Sequence, residues 1–514
     1  MASRMITLDG TRTRPADITD IARAGAAVPP VRTAPAAASP LPALSLPAAV
    51  PPTAPLAVSL AAEGLDRAAA AYKAAKEIVM RRPVYGRNTG VGANRGEGVA
   101  EADSDTHGLR LLRSHAGGIG PLVPATQVRA MLAVRANQIL AGGAGLQPAF
   151  AEVLAHALNS GHLPEVHEIG AIGTGDLTAL AEAGLTLIGE RPWTGGQGSP
   201  PAPITLETGD ALAFCSSSAL TIGQAALGWS DITALLRATQ VITALSLLAV
   251  DGGTEPYDEQ VHAGRPHPGN IAVGAEMRRL LGGPRHATAR VQDPFGYRCF
   301  PQVHGPAVEA AAALERVLDI EINSASENPL VSAAHGTVHH HGGFHQATLG
   351  LGLDHLRVAL LHTAHLSTAR LATLVEPAFT GLRPFLAEGA SASSGVMILE
   401  YSANSALAQL RNAAYPAALG HAVLSRGVEE HASFASQSAR QTLQAATAYR
   451  LVLACELVAV VRALRQRGIT PDPKAPVGTA FAKVAPYLDP RAEDRSLSPD
   501  VETATTLLDV LADI

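Results

Sequence analysis

Long runs rich in Ala and Leu, with apolar side chains on more than one face, constrain this chain more than any other feature. They lie at 126–142, 148–160, 177–188, 210–248, 306–322, 345–375, 403–412 and 433–467. A helix that is apolar all round has no face to give to water, so such runs belong inside a bundle or between subunits. Of 514 residues, 47% are hydrophobic and 16% charged, which excludes general disorder and implies extensive buried surface. The expected fold class is mostly α, built on a long central helix bundle, and the expected state is an oligomer.

Prolines at 29, 30, 35, 40, 42, 47, 51, 52 and 55 deny both helix and central strand to residues 28–55, which read as an extended Pro/Ala-rich linker insertion. It separates a short N-terminal segment, 1–27, from the helical domain, 56–514. The first segment reads as a turn or hairpin followed by one helix capped from Asp17 or Thr19. The domain opens with a helix that Pro83 stops. A net charge of −6 offers no concentrated positive surface, so no nucleic-acid partner is expected. Asp9 falls where a secretory signal needs its apolar core. The apolar stretch 451–461 is cut by Glu456 and is shorter than the roughly 20 residues that cross a bilayer. No membrane partner is expected. Cys215, Cys299 and Cys455 lie far apart without CxxC pairing, which argues against a disulfide framework or a thiolate zinc site and for a reducing, cytoplasmic setting.

In a mostly helical chain the chemistry is to be sought in the polar, Gly-rich loops. The loop at 83–96, PVYGRNTGVGANRG, can bring the Tyr85 hydroxyl close to a ligand, because glycine permits close backbone approach. It fits a dinucleotide fingerprint poorly, since Arg95 stands at the sixth position. On residue type alone it reads first as a Gly-rich connector, and His115 in LLRSHAGGIG as a structural histidine. In the third loop, Asp176 is expected to cap the helix it precedes, where backbone NH groups form an electropositive end. His339, His340, His341 and His345 invite a metal reading. Consecutive histidines on an extended segment point to alternate sides, and no carboxylate is spaced to complete a site, so no metal is expected.

Taken in order, ten segments resemble the aromatic amino acid ammonia-lyase family of histidine, phenylalanine and tyrosine ammonia-lyases and related aminomutases. They are VYGRNTGVG (84–92), LLRSHAGGIG (111–120), VRANQILAGGAGLQP (134–148), GDLTAL (175–180), HAGRPHPGN (262–270), VQDPFGYRCFPQV (291–303), ENPLV (327–331), GGFH (342–345), SSGVMILEY (393–401) and EEHAS (429–433). The resemblance runs from about Ile6 to about Gly468. It implies the long helix bundle of the ammonia-lyase and fumarase-like type, assembled as a homotetramer whose active sites draw loops from more than one subunit. It also implies an electrophile, methylideneimidazolone, made when an Ala-Ser-Gly triad cyclises and loses water.

Here that triad is absent. Its position reads Gly173, Thr174, Gly175, in a loop one residue shorter than the family pattern. Where the resemblance implies Asn-Gly-Thr the chain has Ser216, Ser217 and Ser218, and where it implies the catalytic-loop tyrosine the chain has Phe295, without a hydroxyl.

The remaining positions match residue by residue. Tyr85 falls at the general-base position and Arg298 at the substrate-carboxylate clamp, where a guanidinium fork suits a planar carboxylate. His115 and Glu429 match positions that meet the far end of the substrate, and Asn88 and Gln292 fall in the same substrate-binding segments. The expectation is a lyase of the carbon–nitrogen class without the family's ring, catalysing elimination or the reverse conjugate addition on an amino-acid-like carboxylate with a polar side chain. Two alternatives stay open: a histidine or tyrosine ammonia-lyase or aminomutase using a ring derived from Gly173-Thr174-Gly175, and a non-catalytic binding or partner subunit.

Overall fold

The structure of this chain is a computed structural model that describes residues 4–24, 56–284 and 290–514. The linker expected at 28–55 lies outside the described residues. The fold is mostly α. The apolar runs form helices at Ala125–Leu140, Ala149–Ser160, Leu177–Leu187, Ala219–Ala249, Phe300–Ile322, Ala347–Leu374, Met397–Ala413 and Ala435–Gln466. Ala219–Ala249 lies at the centre, with Ala125–Leu140, Phe300–Ile322 and Ala435–Gln466 packed on it. Ala347–Leu374 packs on the last two, and Met397–Ala413 covers Ala435–Gln466. The central helix is buried on every side from Ala219 to Trp229 and again from Ala238 to Ala249, which is why its sequence shows no polar stripe. By composition 210–249 could span a bilayer, but 83% of its most apolar stretch is covered by the rest of the fold.

Several local expectations need correction. The run at 210–248 is not one helix: it breaks at Ser216–Ser218, between Asp210–Cys215 and Ala219–Ala249. Serine side chains offer the backbone alternatives to a helical ladder, and the break is fixed from outside by Asp176. Its carboxylate accepts from the Thr221 backbone NH and hydroxyl, both at 2.8 Å, and its own NH donates to the Ser217 carbonyl at 2.7 Å. Asp176 therefore caps the central helix and not the Leu177–Leu187 helix that follows it. Burial pushes its carboxyl up, opposed by the Thr221 and Ser436 donors.

At the N-terminus, Arg4–Leu8 makes no local hairpin. It pairs in parallel with Leu56–Leu60, and Pro15–Arg23 lies between them in the chain. Asp17 acts from the third position of that helix, accepting from the Arg14 NH at 2.9 Å, and Thr19 sits inside the helix. Finally, the Phe300–Ile322 helix runs through Pro306, where the sequence suggested a start.

The bundle interior also holds charge. Arg370 and Glu456, both 0% exposed, form a two-pronged pair at 2.6 and 2.9 Å. The same carboxylate accepts from Ser246 at 2.9 Å and Ser367 at 2.5 Å. Glu456, the charge that interrupts the apolar stretch at 451–461, is thus fully partnered. Arg370 donates onward to the Gly296 carbonyl at 3.3 Å, and the Tyr257 hydroxyl donates to the Tyr297 carbonyl at 2.9 Å. Together they hold the short Phe295–Arg298 helix against the bundle.

Candidate active site

The turn that follows the Ala62–Val79 helix is tied to itself. The Asn88 side chain accepts from the Val84 NH at 2.7 Å and donates to the Val79 and Arg82 carbonyls at 3.2 and 3.3 Å. This presents the Tyr85 ring to a cavity of about 610 Å³, on whose wall Thr174, Gly175, Ser216, Asn328, His345 and Glu429 also lie. Tyr85, Thr174, Gly175, Ser216 and Glu429, far apart in sequence, are thereby brought together.

The Tyr85 oxygen accepts from the Gly92 NH at 2.8 Å. Gly92 has φ +56°, and a Cβ there would stand 2.7 Å from Ser425 Oγ and 3.5 Å from Glu429 Oε1, so the Tyr85 loop and the Glu429 loop pack without room for a side chain. The contact is locked by the Ala93 NH donating to Ser425 Oγ at 2.9 Å. Burial pushes the Tyr85 phenol above its ordinary value; the Gly92 NH opposes this, the Glu429 carboxylate adds to it, and Arg95 pulls the other way.

Of residues 172–175, Thr174 and Gly175 line the cavity, Gly173 is buried behind them, and the segment is held under restraint. The Phe434 NH donates to the Ile172 carbonyl at 2.8 Å, and the Gly173 carbonyl accepts from Ser433 Oγ at 2.8 Å and the Gln346 NH at 3.1 Å. Gly173 and Gly175 have φ of +87° and +103°. A Cβ on Gly173 would meet Ser433 Oγ at 2.1 Å and the Ala435 nitrogen at 2.7 Å. Ser216 stands beside this segment, its Oγ accepting from the Asn328 NH at 2.9 Å.

Of the four histidines that invite a metal reading, His340 and His345 line the cavity, together with His431. His340 Nε2 accepts from the Tyr85 NH at 3.2 Å, and His345 Nε2 meets His431 Nδ1 at 3.1 Å. Burial, and then the His431 charge, lower the His345 ring's affinity for a proton. The 345–431 pair was missed because its members lie in two segments, GGFH and EEHAS, with no spacing to connect them. Among the described residues, no group of three or more His, Cys, Asp or Glu is placed to hold a metal ion.

The other positions lie elsewhere. Asn88 supports the turn and faces away from this cavity, into a second one. His115 ends the Ser104–His115 helix, with Nδ1 at 2.9 Å from the Leu111 carbonyl; this helix packs on the two that carry Leu177 and Leu212 of the cavity wall.

Gln292, Phe295 and Arg298 are remote. Arg298 Nε donates to the Asp293 carbonyl at 3.2 Å, its guanidinium lies 4.7 Å from the Phe295 ring centre, and Phe295 is 63% exposed. Asp293 accepts from the Gly253 NH at 2.9 Å, and Arg290, paired with Asp293, donates to the Val250 carbonyl. This places the Arg298 segment at the C-terminal end of the central helix, whereas Ser216 and Tyr85 are at its N-terminal end. A helix of 31 residues is about 46 Å long. Arg298 and Tyr85 of one chain cannot share a small ligand.

Comparison with known proteins adds to this geometry. Residues 48–485 match the family described as aromatic amino acid lyase. The histidine ammonia-lyase of Sorangium cellulosum (strain So ce56) is 35% identical over 477 residues, covering 88% of this chain and 93% of that protein. That of Geobacillus kaustophilus (strain HTA426) is 33% identical over 444 residues, covering 83% and 88%. Among solved structures, the ergothioneine-degrading enzyme ergothionase from Treponema denticola superposes with a TM-score of 0.86 at 24% identity, covering 99% of this chain and 100% of that one. Tyrosine aminomutase from Streptomyces globisporus gives 0.86 at 24% identity, covering 98% and 97%. The two structural likenesses are likenesses of fold.

Proposed function

This chain belongs to the aromatic amino acid lyase family and is a carbon–nitrogen lyase, and on that premise we propose that it works on an amino-acid-like carboxylate with a polar side chain, by elimination or the reverse conjugate addition, without methylideneimidazolone. The observation that carries this is the convergence of the Tyr85 phenol and Glu429 on a cavity that Thr174 and Gly175 also line, with Gly173 buried behind them. The packing around Gly173 supports this reading against the Ala-Ser-Gly-derived ring. Its alanine would need a Cβ where Ser433 Oγ stands 2.1 Å away, on a backbone at φ +87° that side-chain-bearing residues resist.

Without the ring, the substrate must bring its own activation, as an electron-withdrawing group beside the carbon that loses its proton or a nitrogen already cationic. Tyr85, as phenolate, takes the proton from the carbon next to the one bearing nitrogen. The electron pair forms the new double bond, and the carbon–nitrogen bond breaks with its pair leaving on the amine. Arg298, Phe295 and Gln292 cannot come from the same chain, so the proposal includes a homotetramer in which another copy supplies the carboxylate clamp. Cys215, Cys299 and Cys455 lie far apart in sequence without CxxC pairing, in keeping with a reducing, cytoplasmic setting.

A second reading rests on one observation: the Gly173 carbonyl, which ring closure would attack, already accepts two hydrogen bonds that polarise it. A ring from Thr174 would then form. Intact-mass measurement decides between the two. We expect the mass of the unmodified chain and no imidazolone-like absorbance; a mass lower by two waters selects the Thr174-derived ring.

The electrostatics yield a pH test. Glu429 helps hold the Tyr85 phenol above its ordinary value. Glu429→Gln removes that contribution, so the phenolate forms at lower pH, and the rising alkaline limb of the rate should shift to lower pH. An unmoved limb would separate Glu429 from the base.

A further inference from the structure

Behind the turn that presents Tyr85 lies a second cavity of about 640 Å³, with Lys76, Arg87, Asn88, Ser104, Glu207 and Thr208 on its walls. Arg87 is only 3% exposed. Its Nη2 donates to the Ala144 and Gly145 carbonyls, each at 2.9 Å, but Nε and Nη1 have no protein partner among the described residues, and Asp210 acts on it only through space. Arg129, also buried, is different: its Nε, Nη1 and Nη2 all donate to the carbonyls of Ile21 and Leu158. Neither nitrogen is sealed from solvent, so both are open to a ligand, and an anion in the adjoining cavity offsets the burial that weighs against the guanidinium charge.

We propose that this second cavity binds a small organic carboxylate, gripped by Arg87, with Lys76 as a second cation at the wall. The planar guanidinium fork matches a carboxylate, and the side chains of Val79, Met80 and Leu206 on the same wall suit a hydrocarbon tail. The Lys76 ammonium is at present paired with Glu207 at 2.7 Å, and that carboxylate also takes the Tyr72 hydroxyl. Glu207 therefore competes with the ligand for Lys76. The site is coupled to Tyr85 through the chain: the Arg87 NH donates to the Val84 carbonyl at 3.1 Å, and Asn88 holds the Val84 NH. A ligand on Arg87 stiffens the turn that carries Tyr85. The inference does not depend on which reaction the first cavity performs.

Calorimetric titration of the full chain with phenylacetate, acetate and inorganic phosphate tests it. Saturable binding of phenylacetate, tighter than acetate, is expected. R87Q should weaken it by at least about tenfold, the loss of a charge-assisted contact. Lys76 and Glu207 are partly exposed, so K76A and E207Q test the site without risk to the core. K76A should weaken binding several-fold, and E207Q, which frees Lys76, should tighten it. Should R87Q not fold, these opposite shifts decide the matter. Four results overturn the proposal: no saturable binding, an R87Q protein that binds as the wild type does, binding unmoved by both K76A and E207Q, or loss of binding in Arg298→Ala, which would place the anion in the first cavity. Phosphate binding as tightly as phenylacetate overturns the carboxylate assignment.

Discussion

Tyr85→Phe should cost turnover about 10²- to 10⁴-fold, the usual contribution of a positioned acid or base, while substrate binding changes little. The ring keeps its packing and loses only the oxygen that accepts from the Gly92 NH. That hydrogen bond is worth about 1 kcal/mol net, too little to unfold the loop, which Ser425 and Asn88 also fasten. A KM within a few-fold of wild type together with a collapsed kcat is the signature of a group that acts on the reacting atoms. Full activity in Tyr85→Phe would remove the base assignment. Arg298→Lys gives the complementary split, a raised KM, because an ammonium cannot reproduce the two-pronged grip. If neither change affects anything but stability, and no small carboxylate binds the first cavity, the chain is acting as a binding subunit.

Glu456→Gln should destabilise the protein by about 3–5 kcal/mol, the range for leaving one member of a buried ion pair without its partner. Arg370 would keep its charge at 0% exposure with no carboxylate to meet it, and the Ser246 and Ser367 hydroxyls would lose a charged acceptor. Urea unfolding measures the loss. Replacing Arg370 and Glu456 together with methionines should recover most of it, since an apolar pair carries no stranded charge. Arg370 also reaches the Gly296 carbonyl, so Glu456→Gln should loosen the segment that presents Arg298 and raise KM. A loss below about 1 kcal/mol would mean that water enters the bundle at this point and screens the charge.

The helices were legible because apolar residues recur around whole helical turns, and the central helix announced its burial by lacking any polar face. The break at Ser216–Ser218 was not, because three serines are nearly neutral in a helix and what breaks it is Asp176, a side chain from a distant segment. The sequence marks that aspartate as a cap, but proximity along the chain points to the wrong helix. The residues of the first cavity were legible as motifs: Tyr85, Thr174, Gly175, Ser216 and Glu429 meet there. Motif order says nothing of distance, and Arg298, which follows the same pattern, lies a helix length away. The His345–His431 contact and the spare donors of Arg87 leave no trace in composition or spacing, since they depend on which neighbours the fold supplies.

The tight cradle around Gly173 also limits which mutational routes are open. Gly173→Ala by itself drives a methyl group into Ser433 Oγ and the Ala435 nitrogen and demands an unfavourable left-handed backbone. Thr174→Ser removes only a methyl from a half-buried residue on the cavity wall and demands no new space. The two steps toward an Ala-Ser-Gly sequence are therefore unequal, and the harder one waits on a prior change, such as Ser433→Gly, that has no use until the alanine arrives. This is epistasis set by a 2.1 Å contact: the side chain at 174 can be exchanged alone, whereas an alanine at 173 requires a second substitution in the cradle that receives it.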